Sequence, residues 1–307
     1  MVRKMNDTVF TFLGSKTMDH SRQFENHQMG FIKNLYEKKV TKFSYVIMSV
    51  YVPDIMDYKG ENYVKLRTEK MKEIANQYCF NVDIIYVKGK TPGSLFLTLK
   101  QIKEKISAFA NKIIFAQNYY SGYIGLRLKQ SLGNVYLHTN LRGLPAEEEF
   151  VYSDSPFLRR LLIYLILKTI GKKIISGSDS LSVVSKQYKK YLESKFETGL
   201  KPIIVYPCAY NSNQFYRDES LRGIFREKYQ ILNHQKVFVY SGSMNNYQMP
   251  VEIFRFYSNI AKQDHGKNCV FLFLTLDKEK AIHLSKSYPI HNLIIKSLYD
   301  KDLLGIY

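Results

Sequence analysis

Residues 112–139 read KIIFAQNYYSGYIGLRLKQSLGNVYLHT. KIIFAQ (112–117) is an apolar run of strand length. YSGYIGLRLKQSLG (120–133) is a helical run that Gly133 stops, and NVYLHT (134–139) is a second strand. A strand, a helix and a strand in that order make the strands parallel, with the helix laid on the sheet.

The same alternation extends both ways. Upstream, TVFTFLG (8–14), FSYVIMSVYV (43–52) and VDIIYVKG (82–89) read as strands, with helices over 24–39, 65–78 and 94–110. Downstream, PFLRRLLIYLILKTIGKK (156–173) is a long helix that is basic at both ends. SLSVVS (180–185) is a strand whose Ser185 is placed to cap KQYKKYLESKF. KPIIVYPCAYNSNQFY (201–216) is a strand that runs into a polar stretch, and a domain boundary is expected near Asn211. A second series follows: strand KVFVYSGS (236–243), helix 250–263, strand NCVFLFLT (268–275), helix 278–287 and strand NLIIKS (292–297). The expected fold class is α/β, with Rossmann-like domains over 1–210 and 211–307. The first carries a complete open sheet and the second about three strands. Ligands then belong at the carboxyl ends of the strands.

Composition narrows the partners. The chain has 307 residues and a net charge of +18. That charge fits nucleic acid, a nucleotide-linked substrate or an acidic membrane surface. It fits equally a codon bias that enriches Lys along with Ile, Asn and Tyr. Cys79, Cys208 and Cys269 are far apart and form no CxxC pair, so neither a disulfide framework nor a zinc ribbon is expected. No signal peptide is visible, and LLIYLILKTIG (161–171) is too short to span a bilayer. A cytoplasmic protein is expected. Across 157–201 there are ten Lys/Arg against three Asp/Glu, which suits peripheral contact with the inner face of an anionic membrane. The all-round apolar character of 161–167 favours instead a packing helix with solvated basic ends.

Several short patterns fail as motifs. GKTPGS (89–94) has Ile84 where a P-loop needs its first glycine, so it reads as a plain connection. Asp300-Lys301-Asp302 suits the first turn of a helix, where carboxylates oppose the dipole, better than a metal. No HExxH, GxSxG or Cys/His cluster appears, and neither a metal nor a cofactor is expected. HTNLRGLPAEEE (138–149) is richer. It sets Asn140, Arg142 and Gly143 at the end of a strand. Arg142 can grip a phosphate or carboxylate with two hydrogen bonds, or it can pair with one of Glu147–Glu149 and shape the loop. Ser241-Gly242-Ser243 holds the matching place in the second series. There the start of helix 250–263 can receive a diphosphate, although no Lys or Arg lies between 237 and 254.

Taken in order, these stretches resemble the family-4 glycosyltransferases of bacterial polysaccharide clusters, which have the GT-B fold. IIFAQNYYSGYIGLRLKQSLG (113–133), HTNLRGLPAEEE (138–149), SDSLSVVSKQYKKYL (178–192), KPIIVYPCAYNSNQF (201–215) and FVYSGS (238–243) carry the likeness, which runs over about 80–307. The resemblance implies transfer of a sugar from a nucleotide-sugar, as co-substrate, to the hydroxyl of a glycan or lipid-linked acceptor, without a bound metal. It implies catalytic contacts at His138, Asn140 and Arg142, a donor seat at Gly242, Ser243, Asn245 and Thr275, and an acceptor side at Gly14, Ser15 and Gly143. This sequence departs from the family in three ways. Asn140 stands where the family often has Asp. The cations that usually follow the Gly242 position are missing. The paired-Glu donor motif and closing helix have no counterpart before Tyr307. The chain is therefore expected to be a C-terminally shortened form. A non-catalytic remnant or partner subunit of such an enzyme and a basic nucleic-acid-binding protein are the alternatives. The latter rests on charge alone, with no recognised reading motif.

Overall fold

The computed structural model describes residues 8–17, 45–51, 81–87, 92–196, 198–207 and 218–297, together with single helical positions at Asn34, Glu69, Lys72, Glu73 and Asn76. The chain divides into two compact units. One is Met1–Phe150 with Ser155–Cys208, and the other is Val151–Asp154 with Ala209–Tyr307.

The first unit is built on a seven-stranded sheet. Its strands are β1 (Thr8–Thr17), β2 (Tyr45–Tyr51), β3 (Asn81–Val87), β4 (Asn111–Gln117), β5 (Val135–Leu141), β6 (Ser180–Val183) and β7 (Ile203–Val205). They lie in the order β3-β2-β1-β4-β5-β6-β7, and every pair is parallel. The chain winds outward from β1 to β3, crosses back, and winds the other way from β4. The order reverses between β1 and β4, and an open α/β sheet binds its ligands at the carboxyl ends beside that point.

One face of this sheet is aliphatic and covered by helices. Helices α1 (Pro92–Ile106) and α2 (Asn118–Leu132) bury Ile102, Ile106, Ile124 and Leu128 against Val9, Leu13, Ile85, Ile114, Ala116 and Leu137. Helix α2 lies close because it carries glycines where it meets the sheet. A Cβ at Gly125 would come within 2.6 Å of Leu137 Cδ1. Helix α3 (Pro145–Tyr152) is short. Helices α4 (Phe157–Gly177) and α5 (Lys186–Lys195) continue the same layer through Ile175, Tyr188 and Leu192. The carboxyl end of α4 is held by two cations. Lys201 Nζ donates to the carbonyls of Ile175, Ser176 and Ser178, and Lys129 Nζ donates to that of Gly177. Cations there complement the helix dipole.

The second unit has a parallel sheet of β8 (Lys236–Ser241), β9 (Cys269–Leu274) and β10 (Leu293–Lys296), ordered β10-β9-β8. Helix α6 (Glu219–Lys228) precedes it. Helices α7 (Pro250–Ala261) and α8 (Lys278–Ser285) are the crossovers. Every residue of β9 is buried, as a central strand requires. The core is largely aromatic: Phe254 stacks on Phe273, Tyr240 on Phe273, and Phe238 on Phe271.

The elements differ from the sequence reading in instructive places. Helix α4 runs four residues past 173, because Gly171 passes Tyr119 and Ser178 ends the helix. Strand β5 continues to Leu141, so Asn140 lies within the strand, one residue past the expected end at Thr139. Helices α3 and α6 were not expected. Asp218 starts α6 by accepting from the N–H groups of Ser220 and Leu221, and Leu221, Ile224 and Phe225 have helical spacing. Ser185 caps α5 as expected, accepting from Tyr188 N. Helices 24–39 and 65–78, apart from those single positions, the boundary near Asn211, and Asp300-Lys301-Asp302 lie outside the described residues.

Candidate active site

The switch-point edge collects most of the acceptor-side candidates. In β1, Leu13 stands opposite Ser49 of β2 and Thr17 opposite Tyr51. Gly14, Ser15 and Lys16 therefore stand against Val50 alone, which is a bulge at the carboxyl end of the strand. Bulges re-aim a chain and recur beside functional sites. On the other side Leu13 pairs with Ala116, which sets Gly14 next to Gln117, and Gln117 pairs with Asn140 of β5. Asn118, at φ 70°, turns β4 straight into α2, a left-handed conformation that asparagine tolerates well. No acidic side chain lies in the first turn of α2 and no side chain caps it.

Side chains alternate along β5. Val135, Leu137, Thr139 and Leu141 face the helices, and Tyr136, His138 and Asn140 face the other way. Asn140 is 5% exposed, and its Oδ1 is buried without a hydrogen-bond partner. A desolvated amide oxygen left unpaired costs about 1–3 kcal/mol. Asn140 is thus an acceptor that lacks a donor, and Thr11 Oγ1 and Ser121 Oγ are likewise buried without a hydrogen bond.

His138 is two residues further back and is fully engaged. Its Nδ1 lies 2.7 Å from Ser180 Oγ, and its Nε2 lies 2.8 Å from Ser182 Oγ. Its ring stacks on Phe115 at 5.0 Å, and Phe115 stacks on Phe12 at 5.3 Å. Burial lowers its pKa to about 4, so the ring is neutral at ordinary pH. With both nitrogens taken, His138 fastens β5 to β6.

Arg142 follows β5 directly, in a loop pinned from three sides. Tyr188 OH donates to Gly143 O at 2.6 Å. Leu144 N donates to Glu148 Oε1 at 3.1 Å, and a Cβ on Gly143 would meet that same oxygen at 2.5 Å. The space beside Gly143 is thus taken by the carboxylate of Glu148. Glu147 accepts from Lys168 Nζ and from Tyr191 OH, both at 2.6 Å. Lys168 Nζ also lies 5.4–5.6 Å from the rings of Tyr164, Tyr191 and Phe196. Burial opposes both charges of this pair. The shared hydrogen bonds more than offset it, holding the carboxyl of Glu147 below its usual range and the ammonium of Lys168 above its own. Burial, reinforced by Tyr119, raises the pKa of Tyr188, so its proton stays on the oxygen that donates to the loop. Tyr119 and Tyr188 were not singled out from the sequence, and Glu147 was named there as a possible partner of Arg142, not of Lys168. Their pairing joins positions 21 to 45 residues apart, which no local spacing reveals.

In the second unit the donor candidates also share an edge. Ser241 pairs with Leu274, so Gly242 and Ser243 follow β8 beside Thr275, which follows β9. The space at Gly242 belongs to Tyr240, whose OH would lie 2.7 Å from a Cβ there and donates to Ser243 O. Thr275 Oγ1 accepts from Asp277 N, and Asp277 Oδ2 accepts from Met244 N at 3.1 Å. A carboxylate thus takes one backbone donor of the loop that a diphosphate would approach. Asn245 is exposed and opens the turn 246–248, its Nδ2 3.3 Å from Tyr247 OH. Among the described residues no group of three or more His, Cys, Asp or Glu is arranged to hold a metal.

Comparison with known proteins adds to this geometry. No family model matches the sequence, and no curated protein matches it. Solved structures do match in fold. The N-terminal domain of trehalose-6-phosphate phosphatase from Candida albicans superposes at a TM-score of 0.59, with 10% identity over 99% of this chain and 75% of that one. HepE from Anabaena, in complex with UDP-glucose, superposes at 0.58, with 9% identity over 96% of this chain and 71% of that one. A glycosyltransferase from Rickettsia africae superposes at 0.58, with 14% identity over 98% of this chain and 70% of that one. The chain thus has an α/β fold with two Rossmann-like units of the GT-B type.

Proposed function

We propose that the chain transfers a sugar from a nucleotide-sugar to an acceptor hydroxyl, without a bound metal, in the assembly of a surface polysaccharide or glycoconjugate. Two parallel-sheet units support this reading, as does the likeness to a protein solved with UDP-glucose. The observation that carries it is the edge itself. Strand β5 ends in Asn140 and Leu141 and passes into Arg142 at the carboxyl side of a parallel sheet, near the switch point, where such sheets bind ligands.

In the reaction the acceptor oxygen bonds to the anomeric carbon as the bond from that carbon to the diphosphate breaks. The hydroxyl proton leaves to solvent, and a nucleoside diphosphate is released. Negative charge grows on the departing phosphate, and fixed donors aimed at it lower the barrier. Arg142 is the cationic group assigned to that charge or to an anionic acceptor, with Asn140 supporting it from the end of β5. Gly14, Ser15 and Gly143 shape the acceptor side. Gly242, Ser243, Asn245 and Thr275 form the donor edge. His138 acts by position, since both its nitrogens are bonded.

A second reading, a non-catalytic remnant or partner subunit of such an enzyme, is favoured by one observation. The loop after β8 gives a backbone N–H to Asp277, from the turn after β9, and no Lys or Arg lies between 237 and 254. Titration calorimetry of the full chain with UDP, GDP and dTDP, and with their glucose conjugates, separates the two readings. Saturable heat is expected with one nucleotide series. Absence of heat across the panel removes transfer and leaves the non-catalytic reading.

A further inference from the structure

Helix α4 is 21 residues long and has no acidic residue. One strip of it is buried through Gly171, Ile174 and Ile175. The all-round apolar run 161–167 was expected to be covered as well, but part of it is not. Leu158 is 78% exposed, Leu162 59%, Leu165 53% and Ile166 48%, and Phe157 adjoins them at 56%. Positions 158, 162, 165 and 166 form one continuous helical stripe. A single exposed leucine is ordinary, but a stripe of this kind marks a contact surface.

The charges beside the stripe settle what it fits. Lys168 is consumed by Glu147, and Arg160 donates to Phe150 O. The exposed charges of α4 are Arg159 at one end and Lys172 and Lys173 at the other, all positive. A second copy docked symmetrically on this stripe would bring these like charges together. A protein hot spot would use Trp, Tyr and Arg rather than aliphatic leucines. Aliphatic side chains flanked by lysine and arginine suit the boundary between acyl chains and acidic headgroups. Among the described residues no helix is long and apolar enough to cross a membrane, so the contact is lateral.

We propose that α4 docks the protein on an anionic lipid surface, with Phe157, Leu158, Leu162, Leu165 and Ile166 at the headgroup–acyl boundary and Arg159, Lys172 and Lys173 against the lipid phosphates. This surface is independent of glycosyl transfer, and either proposal can fail without the other.

The sequence has no tryptophan, so Leu162→Trp creates a single reporter in the full chain. Its emission should shift to the blue, and brominated lipid should quench it, on vesicles of phosphatidylcholine with about one-third phosphatidylglycerol. Vesicles of phosphatidylcholine alone should leave it unchanged. A reporter at Ile224→Trp, exposed on α6, should not respond. Lys172→Gln with Lys173→Gln should weaken binding about thirtyfold. Equal responses from both reporters would mean adsorption through net charge and would overturn the proposal, as would no response from Leu162→Trp. A blue shift without vesicles that grows with protein concentration would indicate self-association through α4 and would also overturn it.

Discussion

Arg142→Ala should lower kcat about a hundredfold to a thousandfold while leaving the fold intact. Several contacts that shape the loop around Arg142 do not use the guanidinium. Tyr188 still donates to Gly143 O, Leu144 N still meets Glu148, and Glu147 still bridges Lys168 and Tyr191. What disappears is a fixed cation at the end of β5. If Arg142 meets charge that builds in the transition state, kcat falls and the calorimetric affinity for nucleotide-sugar changes little. Glu147→Gln provides the contrast. It weakens the anchor through Lys168 and should lower both stability and activity. A kcat for Arg142→Ala within about threefold of wild type would remove this residue from the chemistry.

The second large effect is on stability. Burial holds the pKa of His138 at about 4, against an ordinary value of 6.5. The unfolded chain therefore binds a proton that the folded one refuses between pH 6.5 and 4. Stability from this group is fully present above pH 6.5, falls as pH drops through that window, and levels off below 4. The loss approaches about 3 kcal/mol. Urea titrations at pH 7.5, 5.5 and 4.5 measure it. His138→Gln should be less stable at pH 7.5, because Ser180 and Ser182 lose their ring partner, but it should lack this component of the pH slope. A variant with the same slope as wild type would show that the imidazole is not the buried neutral group described here.

Much of the architecture can be read from the sequence because it is periodic. KIIFAQ, NVYLHT and NCVFLFLT announce buried strands, and the helices between them make those strands parallel. Strand order is not periodic, and the reversal between β1 and β4 emerges only from the pairings. Two helices escape for local reasons. Helix α3 has only eight residues, and α6 is short and carries Gly223 at its centre, although Asp218 and Ser220 signal its start. Positions at strand ends, such as Asn140 and Gly242, can be found from pattern and resemblance. Their surroundings cannot. That Tyr240 fills the space at Gly242, that Ser180 and Ser182 bind both nitrogens of His138, and that Glu148 abuts Gly143 all depend on which side chains meet across the fold. The stripe on α4 shows the opposite limit. An all-apolar run has no polar face to reveal which side solvent touches.

The central claim is sugar transfer, and release of nucleoside diphosphate tests it most directly. The full chain is incubated with each nucleotide-sugar, with and without a lipid and glycan extract as acceptor, and free UDP, GDP or dTDP is quantified. One donor should yield nucleoside diphosphate at a rate that rises with the acceptor and falls with Arg142→Ala. Release that stays at the no-enzyme rate for every donor and extract, from a chain that binds nucleotide in calorimetry, would contradict transfer and leave the binding role.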